Sequence, residues 1–223
     1  NGRRRQRQMC IRDSNNIMEN DELLGAASCT TNAIVPTLKV LNDEFDIQSG
    51  HIESVHSYTN DQNLIDNFHK KVRRGRSAAL NMVITETGAG KAVGQVLPEL
   101  QGKLTANAVR VPTPNVSLAI INLRFAKDIT LEELNDFLRQ KAFHSDLKEQ
   151  IGFTNSPEVV STDFVGDRHA GIIDSAATIV NGNKCVLYVW YDNEFGYTAQ
   201  LLGLAKEMVG LTYQRYPNFS EST

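Results

Sequence analysis

Two apolar segments joined by a tight turn constrain the fold of this chain most strongly. Residues 177–180 and 185–191 are rich in β-branched and aromatic residues, and Asn181-Gly182 lies between them. An Asn-Gly pair between two such segments is typical of a β-hairpin, because its turn needs residues that tolerate a positive φ. Strands joined this directly are antiparallel, which argues against a doubly wound parallel sheet.

Other segments show the spacing of helices and strands. Ile34, Leu38, Leu41 and Phe45 recur at helical intervals, and Thr130 precedes a second amphipathic stretch as a good N-cap residue. We predict helices at residues 30–45, 88–97, 130–143 and 198–209. Further strands are predicted at residues 52–58, 109–112, 116–125 and 159–164, with a long loop at 59–77. The predicted fold class is therefore α+β, with a mixed, mostly antiparallel sheet covered by helices.

Charge and cysteine content exclude several classes of protein. The net charge of −3 and pI of about 6.0 predict no nucleic-acid partner and no anionic membrane surface. No apolar run approaches the roughly 20 residues of a membrane span. Cys10, Cys29 and Cys185 are widely spaced and form neither a disulfide framework nor a metal-ligand motif. We therefore expect no metal and a reducing, cytoplasmic setting.

The N-terminal segment differs in character from the rest of the chain. Arg3, Arg4, Arg5 and Arg7 cluster without apolar periodicity, which is also typical of a basic tail that binds polyanions. Residues 8–13, Gln-Met-Cys-Ile-Arg-Asp, resemble a translated sequencing-library adaptor, so we expect residues 1–14 to be a non-native leader. No Gly-x-Gly-x-x-Gly motif of a dinucleotide site follows an apolar strand in this sequence.

Cys29 and His56 are candidates for a nucleophile and its base. Cys29 lies among small polar residues where a helix is predicted to begin, and the positive end of a helix dipole stabilises a thiolate. The competing interpretation, a buried structural cysteine, fits Cys185 in its apolar run. His56 follows 27 residues later on the returning strand, where it can meet Cys29. By residue type alone, four other histidines remain candidates: His51, His69, His144 and His169.

Several groups suited to anions accompany this pair. Residues 70–76 hold five Lys or Arg side chains, although a solvated surface would look the same. Thr87 and Gly88 precede a predicted helix, whose free N–H groups can cradle a phosphate. Arg110 lies in an apolar strand, where an unpaired charge is costly, so it needs a carboxylate or an anionic ligand. A thiol beside anion sites predicts acyl or aldehyde chemistry on a phosphorylated substrate.

Six short segments stand out along the chain: Ala-Ser-Cys-Thr-Thr-Asn (27–32), Val-His-Ser-Tyr-Thr-Asn-Asp-Gln (55–62), Arg-Arg-Gly-Arg-Ser-Ala (73–78), Thr-Gly-Ala-Gly-Lys-Ala-Val-Gly (87–94), Val-Arg-Val-Pro-Thr-Pro-Asn-Val-Ser (109–117) and Trp-Tyr-Asp-Asn-Glu-Phe-Gly-Tyr (190–197). In their order and separations, these segments resemble the glyceraldehyde-3-phosphate dehydrogenase family. Any one of them is a weak signal, whereas six together are specific. The likeness covers residues 15–211 and is nearest to the long-chain bacterial type.

The resemblance implies a role for each candidate residue. Cys29 matches the nucleophile and His56 the base, as a thiolate–imidazolium pair. Thr59, Asp61 and Arg110 match the site for the phosphate of the substrate. Asn193 matches the residue that holds the nicotinamide carboxamide. The site of the attacking phosphate is matched by Ser28, Thr30, Arg74, Thr87 and Gly88.

The resemblance also implies a domain organisation and an activity. Residues 28–211 correspond to the catalytic domain, 15–27 to a remnant of the connection to a cofactor domain, and 212–223 to a C-terminal tail. The parent enzyme would be a cytoplasmic homotetramer of glycolysis and gluconeogenesis. It would use NAD, with NADP as the alternative, and convert glyceraldehyde 3-phosphate and inorganic phosphate into 1,3-bisphosphoglycerate. Without a dinucleotide motif, we expect the present chain to be inactive.

Three alternatives to this activity remain open. Erythrose-4-phosphate dehydrogenase is the nearest relative with a different substrate. A Cys–His acyl hydrolase would use the same thiol and base without any cofactor. A folded interaction module would show no turnover.

Overall fold

The computed structural model describes residues 8–9 and 24–211. Within them lie four α-helices: α1 (Cys29–Phe45), α2 (Ala89–Val96), α3 (Leu131–His144) and α4 (Phe195–Met208). The strands are β1 (Gln8–Met9), β2 (Leu24–Gly25), β3 (Ile47–Ser57), β4 (Val83–Thr85), β5 (Leu104–Val111), β6 (Ser117–Phe125), β7 (Ile151–Thr154), β8 (Gly171–Asp174), β9 (Ile179–Asn181) and β10 (Lys184–Tyr191). Apart from β1, the predicted leader lies outside the described residues, as does the predicted tail.

An eight-stranded mixed sheet forms the centre of the fold. Its strand order is β4-β5-β3-β6-β10-β8-β7, and β9 also pairs with β10. Five of its seven pairings are antiparallel, while β3–β5 and β7–β8 are parallel. The predicted α+β class is confirmed. The predicted hairpin is also present, with β9 antiparallel to β10 and Gly182 at a φ of 59° in the turn.

Helix α1 is the buried helix of the domain. Ile34, Leu38 and Leu41 are each 0% exposed and join the main core with side chains from the sheet. A helix that is apolar around most of its circumference must be covered on several sides, and α1 contacts β3, β6, β8 and β10. Phe45 at its end packs against Phe125 with ring centroids 5.4 Å apart. This packing fixes where the N-terminus of α1 lies against the sheet.

Some predicted elements differ from those observed. Residues 159–164 do not form a strand, because Ser161–Phe164 is a 3₁₀-helix in which the Asp163 carboxylate accepts a hydrogen bond from the Val160 N–H at 2.7 Å. The two strands predicted on either side of residues 112–114 both exist, as β5 and β6. They do not pair with each other, because β3 lies between them and pairs with both.

Two negative observations apply to the described part of the chain. No helix there combines the length and the apolar character needed to cross a bilayer. Even α1, the longest at 17 residues, carries Lys39, Asp43 and Glu44. Nor does any group of three or more His, Cys, Asp or Glu side chains between residues 24 and 211 form a candidate metal site.

Candidate active site

Cys29 and His56 meet where helix α1 begins. The Ser28 hydroxyl caps the helix by accepting a hydrogen bond from the Thr31 N–H at 3.1 Å, which makes Cys29 the first helical residue. His56 lies near the end of β3, and its Nε2 is 3.5 Å from Cys29 Sγ. The structure therefore brings together the two residues predicted as nucleophile and base.

The neighbours of the imidazole favour two different tautomers. His56 Nδ1 lies 2.8 Å from the carbonyl oxygen of Ser57, which can only accept. A proton on Nδ1 serves this carbonyl and leaves the Nε2 lone pair facing the Cys29 thiol, which is the tautomer that a base needs. The Arg110 guanidinium, which can only donate, lies 2.5 Å from the same Nδ1 and favours the opposite tautomer, and it also donates to the Ser57 carbonyl at 3.0 Å. Both groups are thus fixed by one backbone oxygen.

Burial controls the protonation of the pair. It raises the pKa of the Cys29 thiol, against the opposing effects of hydrogen bonds from Thr30 and of the Arg110 charge. The same burial, followed by the repulsion from Arg110, lowers the pKa of His56 to about 4. The pair in this structure is therefore a neutral thiol and a neutral imidazole. The thiolate–imidazolium pair expected from the sequence is not favoured here, because neither charge is well solvated.

One cavity collects eight of the eleven predicted site residues. It has a volume of about 880 Å³ and is lined by Ser28, Cys29, Thr30, His56, Arg74, Thr87, Gly88 and Arg110. Lys71 and Lys91 also line it, so four cationic side chains face this space together with the thiol. Such a concentration of positive charge suits an anionic ligand.

Arg110 is a half-buried cation of this cavity. It lies opposite His56 in the β3–β5 register, so both side chains are on one face of the sheet. Its Nε is buried without a hydrogen-bond partner, and no carboxylate between residues 24 and 211 forms an ion pair with it. We predicted that Arg110 needs either a carboxylate or an anionic ligand. Because no described carboxylate pairs with it, an anionic ligand is the partner that this structure favours.

The residues predicted beside Arg110 for a phosphate site are divided between two cavities. Thr59 and Asp61 line a second cavity of about 890 Å³ and do not line the Cys29 cavity. The Asp61 carboxylate pairs with the guanidinium of Arg74, whose Nε also donates to Thr85 Oγ1 at 3.0 Å. This ion pair holds the Asp61 carboxylate against Arg74.

Asn193 lies just after β10 and lines neither of these two cavities. Its Oδ1 accepts hydrogen bonds from Ser57 Oγ and from Ser117 Oγ, each at 2.9 Å. Because both serine hydroxyls donate to Oδ1, the amide is oriented with its NH₂ group on the opposite side, where it can donate to another group. Because Ser57 follows His56 directly, Asn193 is connected to the end of the strand that carries the base.

Helix α2 contributes its N-terminus to the Cys29 cavity. Gly88 is the N-cap residue, and Thr87 Oγ1 accepts a hydrogen bond from the Ala89 N–H at 3.2 Å. A side chain added at Gly88 would meet no atom within 4 Å, so the approach to the N-terminus is open. Free N–H groups at such an end favour anions.

Comparison with known proteins agrees with the resemblance of the sequence segments. Residues 28–193 match the family described as "Glyceraldehyde 3-phosphate dehydrogenase, C-terminal domain". This chain belongs to the glyceraldehyde-3-phosphate dehydrogenase family. That match covers most of the chain, including both Cys29 and His56, and extends to Asn193.

Relatives within the glyceraldehyde-3-phosphate dehydrogenase family are longer than this chain. A "Glyceraldehyde-3-phosphate dehydrogenase-like protein" of Pseudomonas aeruginosa is 64% identical over 197 residues, which are 88% of this chain and 43% of the relative. The enzyme of Priestia megaterium is 46% identical over 84% of the chain and 56% of the relative. That of Bacillus subtilis is 46% identical over 83% and 55%. The chain thus spans about half the length of these curated relatives.

Two side chains beneath the site of this glyceraldehyde-3-phosphate dehydrogenase domain were not predicted. The Tyr191 hydroxyl lies 2.9 Å from Thr30 Oγ1 and 2.8 Å from Ser54 Oγ, so it joins the first turn of α1 to β3. Tyr191 is fully buried, which raises the pKa of its hydroxyl. The sequence contained one signal, since Tyr191 belongs to the segment 190–197, but contact with Ser54 depends on strand order. One consequence is that the Thr30 hydroxyl already has a buried partner.

Proposed function

We propose that the protein containing this chain is a phosphorylating, NAD-dependent aldehyde dehydrogenase that oxidises glyceraldehyde 3-phosphate to 1,3-bisphosphoglycerate. The observation that carries this proposal is the 3.5 Å contact between Cys29 Sγ and His56 Nε2 in a cavity lined by four cations. Membership of the glyceraldehyde-3-phosphate dehydrogenase family supports it. The parent protein would act as a cytoplasmic homotetramer.

Cys29 and His56 carry the covalent steps. The thiol sulfur bonds to the aldehyde carbon while its proton passes to His56 Nε2, and the imidazolium then protonates the oxygen of the hemithioacetal. His56 takes this proton back as the carbon loses a hydride and becomes a thioester. A phosphate oxygen then attacks the thioester carbon, the C–S bond breaks, and the proton on His56 returns to the Cys29 sulfur.

The cationic groups position the two phosphates in this proposal. Arg110 has a buried Nε without a hydrogen-bond partner and no carboxylate partner among the described residues, so it binds the phosphate of the substrate, and Thr59 and Asp61 complete that site. In the present structure Thr59 and Asp61 line a second cavity, and Asp61 is paired with Arg74. The attacking phosphate is held near the N-terminus of α2 by Ser28, Thr30, Arg74, Thr87 and Gly88.

Asn193 is the residue of this chain that suits a nicotinamide. With Oδ1 held by Ser57 and Ser117, its NH₂ group can donate to the oxygen of a carboxamide. NAD, when bound, accepts the hydride. The sequence contains no Gly-x-Gly-x-x-Gly motif after an apolar strand, so we expect the 223-residue chain alone to have no dehydrogenase activity, because positioning contributes roughly 7–11 kcal/mol to such a step.

Protection of Cys29 tests the proposal on the chain itself. Addition of the thiol to an aldehyde needs no cofactor, so glyceraldehyde 3-phosphate should slow iodoacetamide labelling of Cys29 in a saturable manner. Peptide mass spectrometry identifies the labelled cysteine, and glyceraldehyde without phosphate is the matched control. Arg110→Met should remove most of the preference for the phosphorylated aldehyde.

Two results would refute the proposal. One is equal protection by both aldehydes at all concentrations. The other is rapid, NAD-independent cleavage of a nitrophenyl ester that Cys29→Ser abolishes, since this would favour the acyl hydrolase. Erythrose 4-phosphate, compared in the same protection assay, tests the alternative substrate.

A further inference from the structure

The rim of the Cys29 cavity holds one carboxylate among its cations. Of the described residues that line this cavity, Glu86 alone is acidic, whereas Lys71, Arg74, Lys91 and Arg110 are basic. We propose that Glu86 sets the affinity of the cavity for inorganic phosphate by opposing the anion and neutralising Lys71. This inference rests on the proposed function, in which the cavity binds the attacking phosphate.

The position of Glu86 gives it access to a bound anion. It directly precedes Thr87 and Gly88, which lead into the open N-terminus of α2. Its Oε2 lies 3.7 Å from Lys71 Nζ, so the two side chains form an ion pair at the rim. Glu86 lines the cavity and 91% of its side chain is exposed, so an anion entering from solvent can approach its carboxylate.

The ion pairs of the cavity divide its cations into two classes. Lys71 is paired with Glu86 and Arg74 with Asp61, whereas Lys91 and Arg110 have no ion-pair partner within residues 24–211. Of the Asp61–Arg74 pair, Arg74 lines the Cys29 cavity, whereas Asp61 lines the second cavity. Glu86 is therefore the negative charge that faces the same space as an incoming phosphate.

The size of the effect follows from Coulomb's law. For a dianion about 7 Å from a carboxylate in water, the repulsion corresponds to roughly a sevenfold weaker affinity without salt. Screening at about 0.05 M ionic strength reduces this to roughly threefold, and at about 0.5 M to less than twofold. Exposed ion pairs contribute little to stability, so neutralising Glu86 should leave the fold intact.

The experiment measures phosphate affinity with four variants of the full chain. Inorganic phosphate is titrated against the rate of iodoacetamide labelling at Cys29, and ³¹P line broadening reports binding independently. We expect Glu86→Gln to bind phosphate about threefold more tightly at 0.05 M ionic strength and Lys71→Met to bind it more weakly. The double variant should return close to the wild type, since it removes both charges of the pair. Glu99→Gln, an exposed carboxylate outside the cavity, is the matched control.

The outcomes separate this inference from the proposed function. If wild-type chain binds phosphate but Glu86→Gln behaves like Glu99→Gln, the role of Glu86 is wrong and the phosphate site stands. A tighter Glu86→Gln whose advantage persists at 0.5 M salt would also overturn it, because a charge effect must be screened. If phosphate neither protects Cys29 nor broadens the ³¹P signal in any variant, the phosphate site itself fails, and the inference with it.

Discussion

His56 makes the folded chain sensitive to acid in a way that can be calculated. The side chain is 6% exposed, and burial together with the Arg110 charge lowers its pKa to about 4, from an ordinary value of 6.5. Between pH 6.5 and about 4, His56 is mostly protonated in the unfolded chain and mostly neutral in the folded chain. The contribution of His56 to stability is therefore fully present above pH 6.5 and is lost as the pH falls toward 4.

The magnitude follows from the two pKa values. Each pKa unit corresponds to about 1.36 kcal/mol, so the difference between 6.5 and about 4 costs close to 3 kcal/mol at pH 4. The expected losses are about 2 kcal/mol at pH 5 and about 0.8 kcal/mol at pH 6. A loss of 3 kcal/mol is large against the 5–15 kcal/mol typical of folded domains.

Urea unfolding of the wild type and of His56→Gln at pH 7.5, 6, 5 and 4.5 measures this contribution. Gln cannot titrate, so the difference in unfolding free energy between the two proteins should shrink with falling pH by the amounts above. A constant offset from lost packing does not affect the result. His144→Gln, at the exposed end of α3, is the matched control for replacing a histidine by glutamine.

The sign of the trend separates the two states of the Cys29–His56 pair. A thiolate–imidazolium pair would raise the pKa of His56 in the folded chain, and acid would then favour the wild type over His56→Gln. A difference that stays constant from pH 7.5 to 4.5, or that grows in favour of the wild type, would refute the buried neutral imidazole.

Three further predictions concern the two cysteines and the start of α4. Because burial raises the pKa of Cys29, its iodoacetamide labelling rate should still be rising at pH 9, and a plateau between pH 6 and 8 would contradict this. Cys185, whose pKa is raised to about 12, should stay unlabelled while Cys29 reacts, as peptide mass spectrometry would show. Asp192→Asn should reduce the unfolding free energy by about 2–3 kcal/mol in urea titrations, because one carboxylate oxygen that accepts two hydrogen bonds is lost, and a change below about 0.5 kcal/mol would be inconsistent with that role. The four donors to Asp192 are Asn115 and the backbone N–H groups of Gly166, Glu194 and Phe195.

The long elements of the fold could be predicted from local pattern alone. Helix α1 and strands β6 and β10 each contain enough apolar residues to show a period. Strands β4, β7 and β8 contain only three or four residues each, too few for any period to appear. The strand predicted at 159–164 was wrong because its apolar residues pack by tertiary contact, as Phe164 does by stacking on Trp190 at 5.5 Å.

The candidate site was predictable where chemistry leaves few choices. A strand that returns antiparallel to the preceding helix brings its end close to the start of that helix. Cys29 at the helix start and His56 on the strand therefore had few other places to lie, and they are in contact. A charge in an apolar strand needs a partner, which singled out Arg110. The pairing of Asp61 with Arg74 could not be predicted, because both residues belong to the long segment 59–77, whose sequence shows no period.

The protonation of the Cys29–His56 pair could not be predicted for a further reason, which lies in Arg110. Its charge lowers both pKa values, that of the thiol and that of the imidazole. Because both pKa values fall together, the difference between them, which governs proton transfer from Cys29 to His56, is nearly unaffected. The lower values do make it easier for the pair to lose a proton to solvent. Transfer within the pair depends instead on burial, which disfavours both charges. An anion bound at Arg110 would offset the Arg110 charge and raise both pKa values again. The Cys29–His56 pair would then retain the proton that the hemithioacetal needs, although the anion would not by itself produce a thiolate–imidazolium pair.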